Sequence, residues 1–300
     1  MEEQGGSRTG SNQTPDTGPL VEPIPGERAA TVDIDGERAV FVTDYHAGYE
    51  AGLRYERGLD VPGRAPERRR RLLDLLERVV PDRLVFLGDL MHSIGEPGGA
   101  ERGELEVLFE SFPPELDVLV VKGNHDGMIE TWLVPDEDVG ESGHSTTITP
   151  PRRASSHPSI TVVPGAGIAL DDVGVCHGHT WPAPGVLESD VVCLGHEHPC
   201  VRLVDEVGGS RVEPAWIRGR LDPEPFRSRP EYDDIAWIDE SDSNGHGPRV
   251  IVFPAFNELV GGTWANVEGQ AFLSPFLPDG LANTEAYLLD GTRLGPYQSV

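Results

Sequence analysis

The sequence predicts an α/β fold in which two stacked β-sheets carry helices on the outside. Three observations lead there. The first half runs strand, helix, strand, helix, strand, the order of a sheet covered by its own crossover helices. The second half holds mostly short apolar runs with few helical patterns between them. Clusters of Asp, Asn and His follow nearly every one of these runs, so side chains that resist burial sit where strands end and loops begin.

Taken in order, Met1 to about Pro25 is rich in Gly, Ser, Thr, Pro, Asn and Gln and reads as a disordered tail, with residues 26–300 as one domain beginning near Ala29. Ala29–Asp33 and Arg38–Thr43 flank Asp35-Gly36, a hairpin signal. Pro66 opens a helix whose stripe is Leu72, Leu73, Leu75, Leu76, Val79 and Val80, with the Arg68–Arg71 run facing water. Leu84–Leu87 is a buried-type strand, Glu101–Phe112 a second helix and Val118–Val121 the next strand. Pro135–Ser159 is polar and without period, and reads as a mobile insertion. Beyond it, Ser159–Val163, Gly167–Leu170, Val173–Cys176, Val191–Leu194, Arg249–Phe253 and Glu285–Leu289 read as strands.

Composition narrows the setting. The 300-residue chain has a formal net charge of −27, and Lys122 is its only lysine. Such charge repels nucleic acid and anionic membranes at ordinary salt. Acidity spread along a chain nearly free of lysine is the pattern of a halophile, in whose cytoplasm charge is screened within a few ångströms. Cys176, Cys193 and Cys200 lie in or near apolar stretches and read as reduced packing residues. No apolar run reaches membrane-spanning length and the N-terminus has no apolar signal core, so a soluble cytoplasmic protein is expected.

The polar clusters carry the chemistry. They are Asp44-Tyr-His46, Gly88-Asp89, Gly123-Asn124-His125-Asp126, His177-Gly178-His179 and Gly195-His196-Glu-His198. A pair of catalytic metals needs roughly eight ligands, one of them shared, with open positions for water and substrate. Oxygen and imidazole donors suit Mn, Fe, Zn or Ni. In an extended segment alternate residues point the same way, so Asp44 with His46, and His196 with His198, can each reach one cavity. The glycines before Asp89, Asn124 and His196 permit tight turns and close approach of backbone. His125 lies between Asn124 and Asp126, the setting of a general acid held by a carboxylate.

In this order the motifs D-x-H, GD, GNHD, H and GHxH resemble the calcineurin-like metallophosphoesterase superfamily over about Val42 to His198. The resemblance implies a four-layer αββα sandwich of two mixed sheets and a dinuclear phosphoester hydrolase. Asp44, His46, Asp89 and His198 would hold one divalent metal. Asp89, Asn124, His177 and His196 would hold the other, with Asp89 bridging. A metal-bridging hydroxide would attack phosphorus while His125, partnered by Asp126, protonates the leaving oxygen. Mn is the first choice, with Fe, Zn, Ni and Co open. Within the superfamily, Gly88-Asp-Leu-Met-His-Ser93, the tail Phe253–Gly262 and Tyr287–Thr292 resemble the ligase-associated predicted phosphoesterase branch. The Ser/Thr protein phosphatases carry an Asp-Arg after the second motif; here Leu90-Met91-His92 stands instead, which argues against that activity.

Some residues read two ways. His92 and His179 could touch phosphate or support the ligands, and Arg54 and Arg57 could line a phosphate pocket or be solvated. Lys122 suits an anion contact or a salt bridge. Trp216 and Trp264 fit core or lid better than base stacking, and His144, His157 and His246 fit solvent. The substrate expected is a phosphodiester of the nucleotide or nucleic-acid kind. The alternatives are a small-molecule phosphomonoester, under a roof formed by the insertion, or a non-catalytic metal scaffold, which the presence of His125 argues against.

Overall fold

The computed structural model describes residues 20–95, 98–130, 146–148 (backbone only), 158–239 and 247–300. A seven-stranded sheet has the order β1-β2-β3-β4-β5-β7-β6. Its strands are β1 (Val21–Pro23), β2 (Ala30–Ile34), β3 (Glu37–Val42), β4 (Arg83–Phe86), β5 (Asp117–Val121), β6 (Thr146–Ile148) and β7 (Ser159–Val163). The run β3-β4-β5-β7 is parallel, and antiparallel strands close both edges. The second sheet has the order β15-β14-β12-β13-β10-β9-β8, with β11 on β12. It is built from β8 (Ile168–Leu170), β9 (Val173–Cys176), β10 (Val191–Leu194), β11 (Cys200–Val204), β12 (Ser210–Leu221), β13 (Arg249–Val252), β14 (Leu281–Leu288) and β15 (Arg293–Pro296). Here β9, β10 and β13 are parallel and form the centre. Two mixed sheets are therefore present, as the sequence predicts.

Period-two burial shows how they stack. In β4, Leu84 and Phe86 face α2 (Ala65–Val79) and α3 (Gly99–Glu110), against Leu72, Leu75, Leu105 and Leu108. Val85 faces the other sheet, where Phe41 and Leu87 meet Val175, Cys193, Trp216 and Phe253. Trp216 is thus a core residue. The outer face of the second sheet is covered by short helices and aromatic loops, through Val186, Leu187, Phe226, Tyr232, Ile238 and Phe276. The fourth layer is thinner than a layer of long helices. Cys176 and Cys193 are buried free thiols and Cys200 is half-buried and free, in keeping with a packing role.

Several local expectations are corrected. Among the described residues a strand, β1, already precedes Ala29, because Val21 is buried in the inter-sheet core and pairs with Val32. Residues 1–19 lie outside the described residues, as does most of the insertion at 135–159, but 146–148 form the edge strand β6 and Ser159 opens β7. His144, His157 and His246 also lie outside. The strand β12 has no counterpart in the sequence reading, since its first half is polar and Pro214 and Gly219 interrupt it. The hairpin turn at Asp35-Gly36 has φ of 49° and 84°, the doubly left-handed turn that Asp-Gly favours. Val80 does not join the apolar stripe of α2; it is the left-handed residue that ends the helix and is 76% exposed.

The largest correction concerns the arginine run. Arg68 is buried, not solvated. Its guanidinium reaches both oxygens of Glu50 at 3.2 Å and Oε1 of Glu104 at 2.6 Å. All three side chains are buried, with exposures of 4–6%. Glu50 belongs to α1 (Tyr49–Arg57), so the triad ties α1, α2 and α3 together. Arg71, half-buried, reaches Glu27 and Glu258. Removing one member of a buried ionic cluster strands the others. Arg68→Ala is therefore predicted to lower unfolding free energy by about 3–5 kcal/mol, read as a shift in urea midpoint. A loss comparable to that of the exposed Arg70→Ala would refute it.

Candidate metal centre

Every predicted metal-site residue lies just past the C-terminal end of a parallel strand. Asp44 and His46 follow β3, Asp89 follows β4, and Asn124, His125 and Asp126 follow β5. His177 and His179 follow β9, and His196 and His198 follow β10. The two sheets deliver them to one cleft. Ligand atoms of Asp44, His46 and His198 lie within 4.8 Å of one another, and so do those of Asp89, His177 and His196. Asp89 faces both groups: its Oδ1 is 3.4 Å from Nε2 of His177 and its Oδ2 is 3.7 Å from Nε2 of His46.

The D-x-H and H-x-H pairs do not converge by strand alternation. Asp44, His46, Asp89, His196 and His198 all have left-handed backbone, with φ from 44° to 66°. Such geometry costs non-glycine residues about 1–3 kcal/mol each and persists where surrounding bonds enforce it. Those bonds are present. The amides of Asp44 and His46 donate to the carbonyls of Gly88 and Asp89, and the amides of Phe256 and Asn257 donate to the carbonyls of Thr43 and Asp44. Gly123 is required by contact rather than by torsion: a Cβ there would lie 1.9 Å from Oδ1 of Asp89.

The imidazoles are aimed from behind. His177 donates from Nδ1 to the carbonyl of Leu87 at 2.7 Å, and His198 from Nδ1 to that of Gly261 at 2.7 Å. Each therefore presents Nε2 to the cleft. Oδ1 of Asp44, both ring nitrogens of His46, and Nε2 of His177 and of His198 are buried without a hydrogen-bond partner. Unsatisfied buried polar atoms are rare, and here they point at one another. Imidazole nitrogens and carboxylate oxygens so arranged fit divalent cations.

Electrostatics agree with that fit. Burial pushes His46 down to about 3 and His196 down to about 4, which keeps both rings neutral as ligands must be. Burial works against a charged His177, yet the charge of Asp89, 3.4 Å away, raises it to about 9. In the metal-free protein His177 thus holds a proton against Asp89, where a cation would supply the same charge. Burial opposes ionisation of Asp89 too, but His177 and His46 hold its pKa far below the usual carboxylate range.

The remaining predicted residues fall in different places. His125 packs beside the cluster, with Nε2 3.8 Å from Oδ2 of Asp89. Its partner is not Asp126: its Nδ1 donates to the backbone carbonyl of His92. Asp126 is fully buried and accepts from the amides of Leu90, Met91 and Gly123, at 3.2, 2.9 and 2.9 Å. Two residues adjacent in sequence thus serve opposite sides of the loop. Burial, then the charge of Asp89, raises Asp126 to about 6 against those amide bonds. His92 is half-buried and stacked on His125, with ring centroids 5.5 Å apart. His179 packs against His177 and His196. Asn124 is exposed on its loop. Arg54 and Arg57 are exposed at the end of α1, and Arg54 faces Asp60 at 3.4 Å. Lys122 takes the salt-bridge role, with Glu130 at 2.8 Å.

Sequence reasoning missed Glu197 and Glu101. Glu197, inside the GHEH motif, is fully buried and accepts from the amides of Leu273 and Ser274 and the hydroxyl of Thr263. It fastens the loop beyond Gly261 to the two histidines flanking it. Its position between two ligands was the only available signal. Trp264, on that same loop, is 40% exposed.

With fold and cleft described, the class is that of an α/β sandwich with a His- and Asp-lined metal centre. The family model described as calcineurin-like phosphoesterase matches residues 37–200, more than half the chain, and the chain belongs to that family of phosphoester hydrolases. Among solved structures it is similar to the nuclease MPE of Pseudomonas putida, at 18% identity and TM-score 0.46, covering 89% of this chain and 100% of that one. It is also similar to Yfce, a phosphoesterase from E. coli, at 16% identity and TM-score 0.28, covering 56% of this chain and 73% of that one. No curated protein matches the chain. Among the described residues no helix is long and apolar enough to cross a membrane.

The tight fit at Gly123 yields a prediction. Gly123→Ala displaces the Asp89 carboxylate and is expected to weaken binding of a divalent metal at least tenfold by equilibrium dialysis. Gly127→Ala, where a Cβ meets nothing within 4 Å, should bind as wild type. Equal metal binding by both variants would show that Asp89 is not held by this contact.

Proposed function

We propose that the protein is a dinuclear metal-dependent phosphodiesterase, nuclease-like in its chemistry. The observation that carries this is the pair of groups, Asp44–His46–His198 and Asp89–His177–His196, whose ligand atoms converge within 4.8 Å in each group, with Oδ1 of Asp44, both ring nitrogens of His46 and Nε2 of His177 and His198 buried and outside any hydrogen bond. Asp44, His46, Asp89 and His198 would hold one cation, and Asp89, Asn124, His177 and His196 the other. Bound there, the two cations supply a nucleophilic water at neutral pH and offset charge on the phosphoryl oxygens. Manganese is the first metal to load, with Fe, Zn, Ni and Co as comparisons.

The chain itself contributes orientation and a proton. The carbonyl of His92 accepts a hydrogen bond from Nδ1–H of His125, so the imidazolium form gives its Nε2 proton to the leaving oxygen and the neutral Nδ1–H ring remains. Asp126 holds the loop carrying His92 in place. A diester, with one negative charge, suits a site to which Arg54, exposed and turned to Asp60, adds no cation. A monoester dianion would ask for more cationic support.

The finer placement follows the motifs. The tail motif Phe253–Gly262 supports membership of the ligase-associated branch by its sequence, and the amides of Phe256 and Asn257 within it brace the Asp44 loop. The charge of −27 with a single lysine supports a halophilic, cytoplasmic setting, and the chain from β1 onward acts as one domain. In that setting melting temperature rises as KCl goes from about 0.15 M to several molar. A melting temperature that falls over this range would overturn the halophile assignment.

Activity tests the main reading. Mn-loaded protein in high salt should hydrolyse bis-p-nitrophenyl phosphate faster than p-nitrophenyl phosphate; the reverse order would favour a phosphomonoesterase. His125→Ala is predicted to keep its metals and lose roughly 10²–10⁴-fold in turnover on diesters with poor leaving groups. Asp89→Asn should lose both metals, and full occupancy in that variant would argue against a shared ligand.

A further inference from the structure

We propose that Glu101 is a positioning residue for proton transfer by His125, acting through a single peptide unit; the proposal rests on the reading of His125 as general acid. Glu101 opens α3 and is 3% exposed. Its Oε2 accepts the Gly98 amide at 2.8 Å, the ordinary reciprocal cap of a helix start. Its Oε1 does more: it accepts the amides of His92 at 2.9 Å and Ser93 at 2.5 Å. Helix capping requires neither of those bonds.

The Ser93 N–H and the His92 carbonyl belong to the same peptide group, which is planar. One edge of that group is fixed by a carboxylate, and the opposite edge accepts the Nδ1 proton of His125. The carboxylate therefore sets the direction of the carbonyl and, by polarising the peptide, strengthens it as an acceptor. The imidazole is held with Nδ1 protonated and Nε2 toward Asp89. This is the service a carboxylate gives a catalytic histidine directly elsewhere, here passed through one amide.

The carboxylate has no freedom to swing. Gly48, left-handed at φ +80° and two residues past His46, leaves the space its stem fills; a Cβ there would lie 2.2 Å from Cγ of Glu101. One turn further along α3, Glu104 accepts the Gly48 amide at 2.8 Å. The helix start thus grips both the His46 loop and the His92 loop. The hydrogen bonds of Glu101 go to the backbone amides of His92, Ser93 and Gly98, so its effect is on the direction of proton delivery.

The test uses full-length Mn-loaded protein and phosphodiesters graded by leaving-group acidity. Glu101→Ala is expected to lower kcat about 10–100-fold on poor leaving groups, but less than about threefold on p-nitrophenolate. KM and metal content are expected to stay unchanged. The Glu101→Ala/His125→Ala double variant should be no slower than His125→Ala alone. Glu101→Gln, which keeps a neutral acceptor, should recover most of the loss. In metal-free protein, imidazole ¹⁵N–¹H correlation should show the Nδ1–H form of His125 in wild type and a mixture in Glu101→Ala. A loss equal on all leaving groups, additive effects in the double variant, or an unchanged tautomer would overturn the proposal. Should Glu101→Ala not fold, wild-type leaving-group dependence and tautomer in Glu101→Asp, whose carboxylate is drawn back by one methylene from the His92 and Ser93 amides, would overturn it equally. Failure of the underlying reading looks different: His125→Ala would then show no leaving-group dependence of its own.

Discussion

The structure depends on the burial of one carboxylate, Asp89, between two sheets. It comes from the first sheet, yet His177, which faces it at 3.4 Å, comes from the second. His46 and the amide of His125 meet it from other loops of the first. A carboxylate removed from water must be matched by cationic or donor groups. Meeting that demand draws loops separated by more than a hundred residues to one point. The depressed pKa of Asp89 and the raised pKa of His177 are the two sides of this match.

A second principle organises the surroundings: buried carboxylates bind backbone amides rather than each other. Asp126 collects Leu90, Met91 and Gly123; Glu101 collects His92, Ser93 and Gly98; Glu197 collects Leu273 and Ser274. Each holds an irregular loop that helices and strands cannot hold. Left-handed ligand residues are tolerable because these loops are bonded on several sides. The Glu50–Arg68–Glu104 triad continues the pattern outward, joining the helices that back the first sheet.

Much of the molecule was legible in the sequence. The parallel strands β3, β4, β5, β7, β9, β10 and β13 are short, apolar and bounded by turn residues, and each was read within a residue or two. The His- and Asp-bearing clusters that the fold brings together were legible because polar groups after buried strands have few other reasons to be there. The strand β12 was not legible, since its burial is decided by neighbours on both sides rather than by its own alternation. Nor was the burial of Arg68: four consecutive arginines look alike, and only the meeting of three helices selects one of them.

The sequence by itself determined the order of the parallel strands β3, β4 and β5 and of the helices α2 and α3 between them, the residue types at the strand ends and hence the family. These are local properties, set by hydrophobic period and by the chemistry of each side chain. Tertiary structure decided the rest. It turned the ligand pairs inward through left-handed backbone instead of strand alternation, gave His125 the carbonyl of His92 instead of Asp126, and enclosed Glu101 beneath Gly48. The physical reason is that hydrogen-bond partners and buried charges are chosen by proximity after packing, and proximity between distant segments is written in no single motif.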